Sequence, residues 1–327
     1  MLTDASQRKI EYLRLSLTDL CNIRCQYCLP PEGIAEIHQT DVLSFNEIER
    51  MVRILAKLGV RRVRLTGGEP LIRQNISTLV RRLKAIEGLE EVLLTTNGIF
   101  LAPIARSLRE AGLSQINIHL DTLNPETFRL ITRLGDIHHV FEGISAARRE
   151  GFTPIKLNAV VQRGINDDEA VDLVEYAARH DLTLRFIEMM PIGPGRGMPH
   201  LFVPRDEVLE RLSDRFTLLP SPERPGMGPA NYYRVKELGT LVGFIAPVSH
   251  PFCDECNRIR ISSDGRFQDC LAYDGTFSFR DLLRDPNVSD NDLVAEVQNL
   301  LQGKRQGHDG FVQLPSLATP CMSAIGG

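Results

Sequence analysis

No run of about eighteen apolar residues occurs in this 327-residue chain, and a membrane-spanning helix needs about twenty. The opening MLTDASQRKIEY lacks the apolar centre of a signal peptide, so the cytoplasm is the expected compartment. Positive charge is not in excess: 38 Lys and Arg stand against 42 Asp and Glu, leaving a net charge of −4. That balance gives no general attraction to nucleic acid or an anionic membrane, so an anionic ligand must be held by a local basic cluster. Internal repeats and low-complexity tracts are missing too, which excludes solenoid and disordered classes. With 43% apolar and 24% charged residues, the composition is that of a soluble globular protein. The length suffices for one large α/β domain with a smaller appendage.

What is present is cysteine, sparse but grouped. Of seven cysteines, six fall in two clusters, and in a reducing compartment such grouping points to metal or catalysis rather than disulfides. The first cluster follows an expected strand, Leu13 to Thr18, and places Cys21, Cys25 and Cys28 at the spacing Cys-x3-Cys-x2-Cys. Three thiolates on one short loop can wrap a [4Fe-4S] cubane, which has four corners to fill, so one iron keeps an open position. Zinc sites use paired knuckles or added histidines, and this loop contains no histidine, which disfavours zinc. The competing reading is three buried cysteines gathered without a function. With Tyr27 before the last cysteine, the loop resembles the signature of the radical S-adenosylmethionine (SAM) superfamily, in which the open iron chelates the amino and carboxylate groups of SAM.

Downstream, apolar periodicity alternates between strand and helix. Ser44 with Glu47 forms a capping pattern for a helix that ends at Gly59. Strands are expected at 60–66, 91–96, 115–120, 155–161 and 183–188, and helices at 76–86, 104–111, 125–131, 140–149 and 168–179. Six strands at this spacing imply parallel pairing through right-handed crossovers. The expected fold is α/β, an incomplete (βα)6 TIM-like barrel over residues 1–190. Residues 191–327 form a smaller C-terminal segment that closes the open side. It begins with a Gly- and Pro-rich loop at 191–197, followed by a helix near 206–212 and strands at 232–236 and 240–245. The cysteine loop, Gly67-Gly68-Glu69-Pro70 and Asn97-Gly98 all lie just beyond strand ends, where barrel enzymes place their chemistry.

The second cluster is Cys253, Cys256 and Cys270, spaced Cys-x2-Cys-x13-Cys. It again stops at three. A structural zinc would need a fourth ligand, for which His250 is the near candidate; a second cubane with an open iron needs none. The stretch NRIRISSDGRFQ reads as a strand that sets Arg258 and Arg260 on the face of Cys256. Two guanidiniums beside a metal centre suit a phosphorylated anion, although solvated arginines on an exposed strand would give the same pattern. The same alternation turns Arg14, Arg64 and Lys156 into the barrel, where burial is costly unless a ligand meets them. A triphosphate fits such a cavity. Cys321 reads as a small hydrophobe.

Over nearly its whole length the chain resembles the molybdenum cofactor biosynthesis protein A family, the GTP 3′,8-cyclases. The landmarks are LRLSLTDLCNIRCQYC, RLTGGEPL, LTTNG, INIHLD, KLNAVVQRGIND, RFIEMMP, CDECNRIRISSDGRFQDCL and the terminal Gly326-Gly327. The resemblance implies two [4Fe-4S] clusters, on Cys21, Cys25 and Cys28 and on Cys253, Cys256 and Cys270. It assigns Tyr27, Thr66, Gly68, His119 and Met190 to SAM, and Thr95 to the SAM and nucleotide side. Arg14, Arg64, Lys156, Arg258, Arg260, Gly326 and Gly327 are assigned to GTP, with Arg14, Arg258 and Arg260 closest to the chemistry. His119 stands where the family carries serine. The implied reaction splits SAM into methionine and a 5′-deoxyadenosyl radical, which takes hydrogen from C3′ of GTP. The sugar radical then closes onto C8 to give 3′,8-cyclo-7,8-dihydro-GTP. The implied partners are a flavodoxin- or ferredoxin-type one-electron reductant and a downstream pyranopterin-forming enzyme, and a homodimer is compatible. Two competing readings are another radical SAM enzyme that acts on peptides, and a non-catalytic zinc or iron–sulfur scaffold.

Overall fold

The computed structural model describes residues 2–34, 37–273, 275, 277–308, 311 and 321–323. Its first strand, β1 (Tyr12–Ser16), shows the logic of the barrel wall. Leu13 and Leu15 point outward into a fully buried apolar layer, while Tyr12, Arg14 and Ser16 take the other face because side chains alternate along a strand. The following strands are β2 (Arg62–Thr66), β3 (Glu91–Thr96), β4 (Gln115–His119), β5 (Ile155–Val161) and β6 (Thr183–Glu188). The C-terminal segment adds β7 (Leu218–Ser221), β8 (Asn231–Val235), β9 (Leu241–Ile245), β10 (Arg258–Ile261), β11 (Arg266–Gln268) and β12 (Phe277–Ser278).

Helices α1 (Phe45–Leu58), α2 (Ile76–Lys84), α3 (Ala105–Glu110), α4 (Pro125–Thr132), α5 (Ile137–Arg149) and α6 (Ala170–Arg179) connect the parallel strands. Then come α7 (Arg205–Ser213), α8 (Phe279–Arg284) and α9 (Asp290–Gln302). The capping box read at Ser44 is present, with Glu47 as its partner, and Gly59 ends α1 at φ 121°, a left-handed value that favours glycine. The apolar stripe of α1, including Ile48, Met51, Val52 and Leu55, is buried against the sheet.

The sheet order is β12-β11-β10-β1-β2-β3-β4-β5-β6-β9-β8-β7. The central run from β10 to β9 is parallel throughout. The expected six βα units are there, and the C-terminal segment extends the wall at both edges: β10 pairs with β1, and β9 with β6. Among the described residues β9 and β10 do not pair, so the barrel stays open, and the chain between them carries Cys253 and Cys256 across the opening.

One strand reading needs correction. NRIRISSDGRFQ is a hairpin, in which β10 turns at Ser262–Gly265 and returns antiparallel as β11. Gly265, at φ +85°, makes the turn, and Ser262 Oγ accepts from Arg266 N at 2.8 Å. The facing of Arg258 and Arg260 survives because both precede the turn. Among the described residues no helix is long and apolar enough to cross a membrane.

Candidate active site

One chamber runs through the barrel and encloses about 330 Å³. Cys21, Cys25 and Cys28 line it together with Cys253, Cys256 and Cys270. The first triad follows the carboxyl end of β1, whereas Cys256 precedes the amino end of β10, its parallel neighbour. The triads therefore sit at opposite ends of the same strand pair. At roughly 3.3 Å per residue, the five residues of β1 span about 17 Å of wall between those ends.

All six cysteines are free thiols, and their surroundings differ. Burial pushes Cys21 up to about 11 and raises Cys25 and Cys28 well above the usual thiol range. Only a bound metal would hold these as thiolates. Cys256 is also penalised by burial, yet Lys304, Arg258 and Arg8 pull it below the ordinary value. His250, the fourth ligand that zinc would need, turns away: its Nδ1 lies 2.9 Å from Ser249 Oγ and its Nε2 3.7 Å from Asp206. Among the described residues no three His, Cys, Asp or Glu side chains converge on a single-ion site. The donor set fits cysteine-held clusters with an open iron better than a closed zinc.

Between the triads the wall is cationic. Arg14, Arg64, Lys156, Arg258 and Arg260 all line the chamber as expected from strand alternation. Arg64 donates to the Tyr12 hydroxyl and to the Leu94 carbonyl at 2.9 Å. Lys156 donates to Gln115 Oε1 at 2.6 Å. Burial, then the neighbouring Arg185 and Arg64, lower Lys156 to about 7. Burial and the adjacent Arg258 lower Arg260 to about 10, and Arg14 is depressed by burial and Arg260. Cations that weaken one another this way make a receptor for a polyanion, whose charge would relieve each of them. Arg258 Nε and Asn117 Oδ1 are buried without a hydrogen-bond partner among the described residues, as expected of groups waiting for a ligand.

Near the first triad, Gly68 works through close approach. A Cβ there would fall 2.1 Å from the Leu20 carbonyl oxygen, so only glycine lets this loop lie on the cysteine loop. Glu69 is buried and accepts from Thr96 Oγ1 (2.7 Å), Asn97 N (2.7 Å) and Leu71 N (3.0 Å). Its burial pushes the carboxyl up to about 7 against the pull of those donors. Asn97 in turn reaches Asn22 Oδ1 at 2.7 Å, tying the third strand's end to the cysteine loop.

His119 Nε2 lies 2.5 Å from the Tyr27 hydroxyl and 2.9 Å from Asp121 Oδ2, and Tyr27 donates to the same carboxylate at 2.9 Å. Burial disfavours the charged ring, but Asp121 outweighs it and the His119 pKa is raised. Thr66 donates to the Leu15 carbonyl at 3.2 Å, and Thr95 Oγ1 receives a 3.5 Å contact from Arg64. Tyr27, Thr66, Gly68, Thr95, His119 and Met190 all line the chamber. Gly326 and Gly327 lie outside the described residues; Met322 and Ser323, just before them, line the chamber.

Strand alternation would also have found Arg185, which shares the inward face of β6 and grips Asn158 Oδ1 at 2.9 and 2.6 Å. Gln115 and Asn117 follow by the same rule. The Pro225–Pro229 wall had no such signal, since it belongs to an irregular loop between β7 and β8.

The comparisons with known proteins follow this geometry. Residues 15–177 match the family described as Radical SAM superfamily, and residues 182–310 match Molybdenum Cofactor Synthesis C. A GTP 3′,8-cyclase of Moorella thermoacetica is 44% identical over 328 residues, covering 100% of both chains. The chain belongs to the GTP 3′,8-cyclase family. Another member, GTP 3′,8-cyclase 1 of Pseudomonas aeruginosa, is 46% identical over 94% of this chain and 93% of the relative. Streptococcus suis SuiB, solved bound to its precursor peptide SuiA, superposes with a TM-score of 0.62 at 14% identity. That alignment covers 86% of this chain and 66% of SuiB, and it shows a shared fold. In this GTP 3′,8-cyclase-family chain the first cysteine loop falls within the radical SAM match, and the second triad within the match named for molybdenum cofactor synthesis.

Proposed function

We infer that this chain is a radical SAM GTP 3′,8-cyclase, converting GTP to 3′,8-cyclo-7,8-dihydro-GTP in the first step of molybdenum cofactor biosynthesis. The observation that carries the reading is the single chamber with a sulfur triad at each end and buried cations between them. Cys21, Cys25 and Cys28 would hold the SAM-binding cluster, and Cys253, Cys256 and Cys270 a second one for the guanine end of GTP. When bound, the first cluster with SAM supplies one-electron cleavage to methionine and a hydrogen-abstracting 5′-deoxyadenosyl radical.

The chain's own residues do the positioning. Arg14, Arg64, Lys156, Arg258 and Arg260 would grip the triphosphate and fix the ribose, with Thr95 beside Arg64 at the border of the two ligands. Tyr27, Thr66, Gly68, His119 and Met190 would shape the SAM end. Anchoring the nucleotide at two points holds C3′ at the radical carbon and keeps other C–H bonds away. Ligands that fill the chamber would keep solvent from the radical and so limit side reactions. Gly326 and Gly327 would act at the substrate, where residues without side chains can come close; the position of Met322 and Ser323 on the wall supports this reading. Residues 1–190 would carry the SAM chemistry, and residues 191–327 the nucleotide end. A flavodoxin- or ferredoxin-type protein would deliver the electron, and a pyranopterin-forming enzyme would take the product, both in the cytoplasm.

A peptide-modifying enzyme would need an open trough in place of this cation-lined interior. The deciding experiment is anaerobic incubation of the reconstituted chain with SAM, reductant and either GTP or ATP. The reading expects a cyclised product and 5′-deoxyadenosine with GTP. Equal product from ATP, or none from GTP, would overturn it.

A further inference from the structure

Helix α9 ends at Gly303, and the next four residues fold back over the second triad. Lys304 is 5% exposed; its ammonium stands 3.9 Å from Cys256 Sγ and donates to the Asp269 carbonyl next to Cys270. Arg305 pairs with the Asp269 carboxylate at 3.0 Å. Gly307 packs so tightly on Cys253 that a Cβ would come 3.0 Å from its Cβ and 3.3 Å from its sulfur. Arg8 closes the clasp from the other end of the chain, donating to the carbonyls of Cys253 (2.7 Å), Arg305 (2.6 Å) and Gln306 (2.5 Å). Asp4 holds its Nε at 2.7 Å. Each cysteine of the triad is thus touched or bordered by residues 304–307.

Within this clasp the chemistry of Lys304 stands apart. Arg8 grips backbone carbonyls, Arg305 pairs with a carboxylate and Gly307 packs on Cys253, whereas the Lys304 ammonium stands directly beside a ligand sulfur. A cluster gains negative charge when reduced, and a nearby cation stabilises that state through a charge-assisted contact. We propose that Lys304 is a positioning residue for the second cluster: its ammonium bears on the Cys256 thiolate, helps retain the cluster and raises its reduction potential. This rests on the reading that the second triad holds a cluster.

The test is a potentiometric titration followed by electron paramagnetic resonance on the anaerobically reconstituted full-length chain. It is repeated in a full-length background with Cys21, Cys25 and Cys28 changed to serine, so that only the second triad reports. Lys304→Gln should leave the melting temperature of the metal-free chain unchanged. It should make the second cluster about tenfold harder to reduce, about 59 mV for a one-electron couple, or release its four irons. Lys304→Arg should restore the parent behaviour. Arg305→Gln, which loosens the same segment but keeps the ammonium, should leave the potential in place. The proposal fails if Lys304→Gln shifts neither potential nor iron content. It also fails if Arg305→Gln shifts the potential equally, or if Lys304→Gln lowers the metal-free melting temperature. A parent chain that takes up only about four irons would instead refute the two-cluster reading itself.

Discussion

Lys156 offers a prediction with a number in it. Its side chain is 2% exposed, faces Arg64 and Arg185, and is lowered to about 7 by burial and those two cations. A triphosphate seated among these cations would return Lys156 towards the ordinary lysine value of about 10.4. Binding must then draw in a proton wherever the free chain has lost one. For a group titrating at about 7, uptake is about 0.5 proton at pH 7 and about 0.9 at pH 8. At pH 8 the terminal phosphate of the nucleotide is already ionised, so its own titration does not cancel the effect. Affinity should fall by about tenfold per pH unit between pH 8 and 10. Calorimetry of GTP binding to the anaerobic chain, in buffers of different ionisation enthalpy, reads the proton count directly. Lys156→Met should abolish the uptake while lowering affinity at pH 6. Uptake near zero at pH 8, or undiminished uptake in Lys156→Met, would refute the reasoning.

Other predictions address the walls. Arg260→Ala and Arg258→Ala should abolish or greatly reduce the cyclised product with iron content intact, scored by chromatography and iron assay; full activity in both would remove the phosphate pocket. Gly68→Ala must push the Leu20 carbonyl aside, an overpacking cost of about 1–3 kcal/mol, visible in denaturant melts of the metal-free chain. Burial raises Glu69 in the folded chain to about 7, above the ordinary glutamate value of 4.5, so its neutral form stabilises the fold below about pH 4.5. That contribution, about 3 kcal/mol, disappears as pH rises through 7; Glu69→Gln should flatten this slope in the metal-free chain, and an unchanged slope would show that Glu69 is not its source. Cys256→Ser should halve an iron content of about eight per chain, leaving the first cluster's SAM-dependent signal.

Much of this architecture could be read from local pattern. The six βα units follow from alternating periods of two and 3.6, and the capping box at Ser44 fixed where α1 begins. The inward cations followed from parity along each strand, which is why Arg14, Arg64 and Lys156 meet in one cavity. Parity also holds across the Ser262–Gly265 turn that the strand reading overran, since Arg258 and Arg260 lie before it. What stayed hidden depends on pairing at long range. That β10 joins β1, and β9 joins β6, is decided by which edges remain open after six strands have paired, and nothing in RIRI or LVGFI encodes it. The placement of the triads at opposite ends of the chamber follows from that pairing alone. The clasp of Lys304 and Gly307 over the second triad was equally silent, because its partners lie some 35 to 54 residues away along the chain.

The account stands or falls on where the hydrogen is taken. Anaerobic turnover with GTP carrying deuterium at C3′, followed by mass spectrometry of the 5′-deoxyadenosine released, tests it directly. One deuterium in 5′-deoxyadenosine, with none left at C3′ of the cyclised nucleotide, is the predicted result. Unlabelled 5′-deoxyadenosine alongside a nucleotide that keeps its deuterium would contradict it.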